Sequence, residues 1–323
     1  MPVIELDQLR RTYRSGGGIR RRSGREIEAV RGLDLTVERG ELFGLLGPNG
    51  AGKTTTIKML ITLLLPTSGT ARVLGHDVVK DVREVRRRVG YVFGGDRGLY
   101  ERLSGLDNLR YFAELYAVSP RTQRARIAEL IELVGLTGRE NERVEGYSRG
   151  MRQRLHIARG LLHKPDVLFL DEPSIGIDPV GARELRRTVA TLRDQGTTIM
   201  LTTHYMFEAD ELCDRIAVIA HGELVALGTP AELKAMVRGG SVLEVEVFGA
   251  SDTAIDTVRA VAGIRSVGLE ERGQAQLLVA QLDPGVDVTA AVLGALGDTP
   301  TGRVTSREPS LEDAYVQLVG ATT

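Results

Sequence analysis

The stretch Glu41-Leu-Phe-Gly-Leu-Leu-Gly-Pro-Asn-Gly-Ala-Gly-Lys-Thr-Thr-Thr-Ile-Lys-Met-Leu60 decides the reading of this chain. An apolar run ends in glycine, and a helix-forming segment follows the glycines, so Gly47 to Thr54 is a loop between a strand and a helix. Its pattern, G-x-x-x-x-G-K-[ST], is that of a phosphate cradle. Gly47, Gly50 and Gly52 let the backbone curl, so that N–H groups from Gly47, Asn49, Gly50, Ala51 and Gly52 surround an anion, with Pro48 lining the same loop without an N–H of its own. Lys53 reaches the outer phosphates, Thr54 is placed to ligate magnesium, and Thr55 is a further nucleotide contact. Alone, this motif says only nucleoside triphosphate, because kinases, GTPases, helicases and transporters share it.

Further along, Val167-Leu-Phe-Leu-Asp-Glu-Pro173 reads as a buried strand delivering two carboxylates at its C-terminal end, where ligands of parallel sheets collect. Asp171 can hold the magnesium that bridges phosphate oxygens, and Glu172 can polarise the attacking water as general base. The four apolar residues before the pair and Pro173 after it describe a strand edge and not a solvated acidic turn.

Composition narrows the rest. At 323 residues, with 42% apolar and 26% charged residues and a net charge of -1, the chain has the make-up of about two globular domains and lacks the basic excess that marks nucleic-acid partners. Apolar runs such as Met59 to Ile61 and Leu63 to Leu65 fall far short of the roughly 20 residues of a spanning helix. The N-terminus has no charged start followed by an apolar core, which leads us to expect a cytosolic protein. The lone Cys213 has no Cys or His cluster near it and reads as a small packed residue.

Short strands are expected at Val3–Leu6, Ile27–Val30 and Leu33–Val37, with a flexible surface loop at Ser15–Gly24 between them. Apolar spacing predicts a helix over Arg121–Val134 and strands at Val167–Leu170, Thr198–Leu201 and Arg215–Ala220. Strands alternating with helices indicate an α/β fold with a largely parallel sheet. After about Lys234 the pattern changes, with Gly239-Gly240 at the boundary. Strands at Val242–Phe248 and Gln276–Val279, and helices near Thr253–Val261, Val288–Leu296 and Leu311–Val319, suit a small ferredoxin-like α+β domain. The expected domains are residues 1–238 and 239–323.

Tyr147-Ser-Arg-Gly-Met-Arg-Gln-Arg154, shortly before the acidic strand, resembles the signature motif of ABC ATPases. Ser174-Ile-Gly-Ile-Asp178 resembles that family's D-loop, and Thr202-Thr-His204 its switch histidine. The set spans residues 1 to about 235. The resemblance implies a P-loop NTPase ABC cassette: a mainly parallel core sheet, an antiparallel N-terminal β subdomain and a helical signature subdomain. It also implies a head-to-tail homodimer with ATP and Mg2+ between the phosphate loop of one copy and the signature motif of the other. Ser148 and Gly150 would then grip the terminal phosphate across the interface, His204 would contact it from the same side as Lys53, Asp178 would couple the two sites, and Tyr13 would stack on adenine. Tyr91-Val-Phe-Gly-Gly-Asp-Arg-Gly98, the Tyr147 to Arg154 segment and Ser310-Leu-Glu-Asp-Ala-Tyr315 are similar to the subfamily serving daunorubicin-type drug resistance and related exporters. That similarity implies an exporter, a separate ABC-2-type membrane permease docking near Gly94 to Leu109, and a place on the cytoplasmic side of the plasma membrane.

Two departures bear on mechanism. Where the family supplies a glutamine that touches magnesium and water, this chain has Gly94-Gly95-Asp96, so either Asp96 substitutes as a metal contact or the contact is missing. The signature carries Tyr147, Arg149 and Met151 in place of the commonest Leu, Gly and Gln, while Ser148 and Gly150 are retained. A ribosome-acting ABC protein would need two cassettes in one chain. A DNA-repair ATPase would need a long coiled coil, and a GTPase an Asn-Lys-x-Asp motif. The alternative kept open by Gly94 is a nucleotide-binding regulator without turnover.

Overall fold

The structure is a computed structural model describing residues 2–14, 26–94, 98–236, 241–273, 275–283 and 285–320. The expected loop at Ser15–Gly24, the Gly239-Gly240 boundary and the metal candidate Asp96 lie outside the described residues. The chain divides into two compact units, Met1–Pro230 and Ala231–Thr323.

In chain order the first unit contains β1 (Pro2–Arg14), β2 (Glu26–Glu38), β3 (Leu42–Leu46), α1 (Lys53–Leu60), β4 (Ser68–Val73), β5 (His76–Asp77), α2 (Val82–Arg88) and β6 (Val89–Phe93). There follow α3 (Gly105–Leu115), α4 (Pro120–Leu133), α5 (Arg149–Leu161), β7 (Val167–Asp171), α6 (Pro179–Asp194), β8 (Thr198–Thr203), α7 (Met206–Leu212), β9 (Arg215–Ala220) and β10 (Glu223–Gly228). Six strands form the central sheet in the order β10-β9-β3-β8-β7-β6. All neighbours from β9 to β6 run parallel, and β10 is antiparallel to β9. Every residue of β3, β7 and β8 is buried, which explains the apolar runs Leu42 to Leu46, Val167 to Leu170 and Ile199 to Leu201: a parallel strand covered on both faces has no solvent side to mark with alternating polar residues.

The antiparallel sheet β2-β1-β4-β5 shows the opposite pattern. Along β2, Leu33, Leu35 and Val37 are buried while Asp34, Thr36 and Glu38 face water. The two short strands expected at Ile27–Val30 and Leu33–Val37 are one strand, and the segment at Val3–Leu6 extends to Arg14. Gly32, at φ 84°, accounts for the break in the sequence pattern: Leu9 pairs with Leu33 and Arg10 with Arg31, so Gly32 is the extra residue of a β-bulge. A left-handed residue inside a strand looks like a turn when only the sequence is read.

The second unit follows α8 (Pro230–Met236) with β11 (Val242–Val247), α9 (Asp252–Arg259), β12 (Ile264–Arg272), β13 (Ala275–Leu282), α10 (Thr289–Ala295), β14 (Thr301–Arg307) and α11 (Leu311–Gly320). Its sheet, β12-β13-β11-β14, is antiparallel throughout, the ferredoxin-like order. Leu243, Val245 and Val247 of β11 and Leu278 and Ala280 of β13 join Val258 and Val292 in one core. Arg307 donates to Glu244 Oε1 at 2.6 Å and to Asp313 Oδ2 at 2.6 Å, tying α11 to β11 and β14. Burial pushes the Asp313 carboxyl up, but the bonds from Arg307 and Ser310 outweigh it and hold it below the usual range.

Candidate functional site

Three neighbouring strands end at one edge of the central sheet. After β3 comes the glycine loop, after β7 the acidic pair, and after β8 the histidine. The loop is a shape only glycine allows: Gly50 and Gly52 have φ of 84° and 104°. A Cβ on Gly52 would lie 2.4 Å from Ala29 O, and one on Gly47 2.3 Å from Ile219 O. The loop therefore presses against its surroundings as well as turning tightly, and α1 begins directly on it at Lys53.

Lys53 is 4% exposed. Its Nζ donates to Gly47 O at 2.7 Å and Pro48 O at 3.2 Å, and lies 3.2 Å from Glu172 Oε1. Among the described residues this buried ammonium, held by the loop's own carbonyls, has one charged partner, Glu172, and that carboxylate stands beside the cradle. Glu172 adopts φ 49°, and its N–H donates to both the carbonyl and the hydroxyl of Thr202 at 3.0 Å. A non-glycine residue in the left-handed region is costly and persists where its surroundings over-determine it. His204 Nδ1 lies 3.3 Å from Glu172 Oε2, within ion-pair reach but without hydrogen-bond alignment.

Asp171 is almost fully buried and crowded by hydroxyls. Its Oδ1 accepts from Thr54 at 3.0 Å and Thr202 at 2.6 Å, and the Tyr91 hydroxyl lies 3.5 Å from Oδ2. Burial, then the charge of Asp171, pushes the Tyr91 hydroxyl pKa up. This donor set of carboxylate and hydroxyl oxygens fits magnesium, which takes one or two carboxylates and completes its shell with phosphate and water. Among the described residues no group of three or more His, Cys, Asp or Glu could hold a metal.

A cavity of about 320 Å3 opens here, lined by Asn49, Gly52, Lys53, Thr54, Thr55 and Glu172 among others, with Ile27 and Ala29 of β2. The Tyr13 hydroxyl stands 3.5 Å from Thr55 Oγ1, and Arg11 lies 4.8 Å from the centre of the Tyr13 ring. The structure thus brings together Gly47 to Thr55, Tyr13, Asp171, Glu172 and His204.

Ser148, Gly150 and Asp178 are not in that cavity's walls. Ser148 caps α5, its Oγ accepting from Met151 N at 3.2 Å. Asp178 caps α6, accepting from Val180 N and Gly181 N. A Cβ on Gly150 would lie 3.2 Å from Gly181 Cα, so the two helix starts touch through glycines. Sequence reading missed Thr202 and Tyr91. The signal for Thr202 was present: two threonines ending a buried strand immediately before His204.

The fold and this loop define a P-loop nucleotide-binding protein. The family model described as ABC transporter matches residues 30–175. The linearmycin resistance ATP-binding protein LnrL of Bacillus subtilis is 34% identical, covering 91% of this chain and 94% of that one. The daunorubicin resistance ATP-binding protein DrrA3 of Streptomyces coeruleorubidus is 40% identical over 94% of each. Among solved structures, cbiO1 of Clostridium perfringens, part of the ABC transporter complex cbiONQ, superposes with a TM-score of 0.64 at 26% identity, covering 72% of this chain and 91% of that one. A bacterial ABC transporter cassette solved as a dimer gives a TM-score of 0.61 at 25% identity, covering 70% and 98%. The chain belongs to the ATP-binding subunits of ABC transporters and is an ABC-type ATPase.

Proposed function

We propose that this chain powers an exporter through an ATP-sandwiched homodimer bound to a separate ABC-2-type permease, which holds it at the cytoplasmic face of the plasma membrane. The observation that carries the reading is the cluster of Lys53, Thr54, Asp171, Glu172 and His204 at the ends of three adjacent strands, beside a phosphate-shaped loop. The export role is supported by the drug-resistance relatives, two of which are matched over nearly their whole length.

In this reading Lys53 and the loop N–H groups bind and orient the phosphates. As phosphate charge competes for the Lys53 ammonium, Glu172 is released from its ion pair and turns to a water, whose proton it accepts. His204, next to Glu172, holds the terminal phosphate. Thr54 and Asp171 would hold Mg2+, which neutralises developing charge on the phosphate oxygens when bound. Ser148 and Gly150, outside the cavity of their own chain, complete the site of a second copy, with Asp178 beside them coupling the two sites, and Tyr13 offers its ring to the base.

The permease docks around Gly94 to Leu109 and the cavity beside it. Tyr100, Leu103 and Tyr111 expose apolar surface there, and a cavity of about 740 Å3 lined by Leu63, Arg86, Tyr91, Tyr116 and Arg159 adjoins through the bond from Arg159 to Gly98 O. Residues 239–323 serve as an accessory domain for packing or dimer stability. Turnover by the wild type beside Glu172→Gln tests the whole reading, with size-exclusion chromatography of both in ATP and magnesium. The variant is expected to lose about 100- to 10,000-fold in rate and to accumulate as an ATP-bound dimer. Equal rates would overturn it.

A further inference from the structure

We propose that Tyr91 is a positioning residue for the carboxylate of Asp171, in a chain whose position 94 has no room for the family's glutamine. A Cβ on Gly94 would lie 2.3 Å from Glu172 O and 2.8 Å from Ile175 Cγ2, while the Gly94 N–H donates to Asp171 O at 2.7 Å. The backbone of Gly94 is thus strapped to β7, and the space a side chain would need is filled by backbone.

Tyr91 reaches the same carboxylate by another path. In β6 it points to the same face as Phe93, two residues on, and Phe93 pairs in register with Asp171. From that diagonal position a long aromatic side chain spans to its cross-strand neighbour. The two oxygens of Asp171 are served unequally: Oδ1 accepts from Thr54 and Thr202, and among the described residues the Tyr91 hydroxyl is the one side-chain donor at Oδ2, 3.5 Å away. A contact of that length is weak by itself. Its consequence is directional, because it sets the rotation of the carboxylate and so the oxygen presented to a metal.

Tyr91 also lines the 740 Å3 cavity. Arg159, also in that wall, is 7% exposed, lies 5.0 Å from the centre of the Phe112 ring, and has no carboxylate paired with it among the described residues. Tyr91 therefore stands between the Asp171 carboxylate, which its hydroxyl reaches, and the cavity.

The inference rests on the proposed reading of Asp171 as a metal ligand, and the test separates the two. Tyr91→Phe keeps the ring and its packing and removes only the hydroxyl. Mn2+ binding to the full chain with ADP, followed by electron paramagnetic resonance, is compared for the wild type, Tyr91→Phe and Asp171→Asn. ADP binding in EDTA and the melting temperature are measured alongside. Tyr91→Phe is expected to weaken Mn2+ by about tenfold, to raise the Mg2+ concentration for half-maximal ATPase activity by the same factor, and to leave metal-free ADP binding and melting unchanged. Unchanged Mn2+ affinity in Tyr91→Phe, with loss in Asp171→Asn, would overturn the role of Tyr91 and leave the proposed function standing. Unchanged affinity in both would overturn both. An equal loss of ADP binding in EDTA would make Tyr91 a packing residue and overturn the inference.

Discussion

The two halves of the proposed nucleotide site are built differently. Around Gly47 to Thr55 the polar groups are buried and bonded to one another, Lys53 to loop carbonyls and Glu172, Thr54 and Thr202 to Asp171. The side chains of Ser148 and Asp178 are exposed, and each caps the first turn of its own helix. The first half holds its shape by internal contacts. The second is a pair of capped helix starts whose remaining acceptors and N–H groups are available to something outside the chain, as suits a surface completed by a second copy.

That contrast can be broken most directly by complementation. Lys53→Ala and Ser148→Arg are each expected to abolish turnover alone, since each destroys one half of every site. In an equal mixture, half of the dimers carry one complete site, so about a quarter of wild-type ATPase activity should return. No recovery in the mixture, with both single variants inactive, would mean that both halves act within one chain, and turnover by Ser148→Arg alone would remove Ser148 from the site.

A smaller effect tests how closed the first half is. Gly94→Gln restores the family's usual residue, yet its Cβ would meet Glu172 O at 2.3 Å. Denaturant unfolding should show a loss of about 1–3 kcal/mol, with slower turnover; faster turnover would show that the strap between Gly94 and Asp171 opens easily.

The helix that presents Ser148 contains a pH-sensitive group. His156 of α5 is buried, its ring nitrogens have no hydrogen-bond partner among the described residues, and burial, then the charge of Arg159, pulls its pKa down from 6.5 to about 3. The folded value lies below the unfolded one, so the unfolded chain binds the proton first as pH falls. The stability this group contributes is whole above about pH 6.5 and is lost progressively toward pH 3. Between pH 7.5 and 5.5 the loss should be about 1.4 kcal/mol. Urea unfolding at the two pH values checks it, and His156→Phe should reduce the pH dependence by that amount.

The smallest effect concerns the second cap. Asp178→Ala should cost about 1 kcal/mol of stability, read as a lower melting temperature, while ADP binding by the isolated chain stays unchanged. Weakened ADP binding would place Asp178 in the site of its own chain.

Much of this was legible along the chain because it depends on local spacing. Buried parallel strands announce themselves as apolar runs, as at Val167–Leu170, and the order of the second unit's elements was readable from alternating strands and helices. The strand through Gly32 was not, because a bulge and a turn use the same left-handed glycine and only pairing with β1 tells them apart. Tyr91 and Thr202 were missed for a related reason: one is 80 residues from Asp171 and the other 31, and the motif segments that contain them do not say which side chain meets Asp171.

The amino-acid sequence by itself determined the chemistry on offer: a glycine cradle with Lys53, an acidic pair behind four apolar residues, and a histidine after a buried strand. These follow from residue type and short-range spacing, which act before any long-range contact forms. Only the tertiary structure decided which groups meet. The order β3-β8-β7 sets Lys53, Asp171, Glu172 and His204 at one sheet edge, turns Tyr91 toward Asp171 from β6, closes position 94 with the backbone of Glu172, and leaves Ser148 and Asp178 outside the cavity. Those outcomes depend on strand order and register, which are set by the packing of distant segments and are invisible in any one of them.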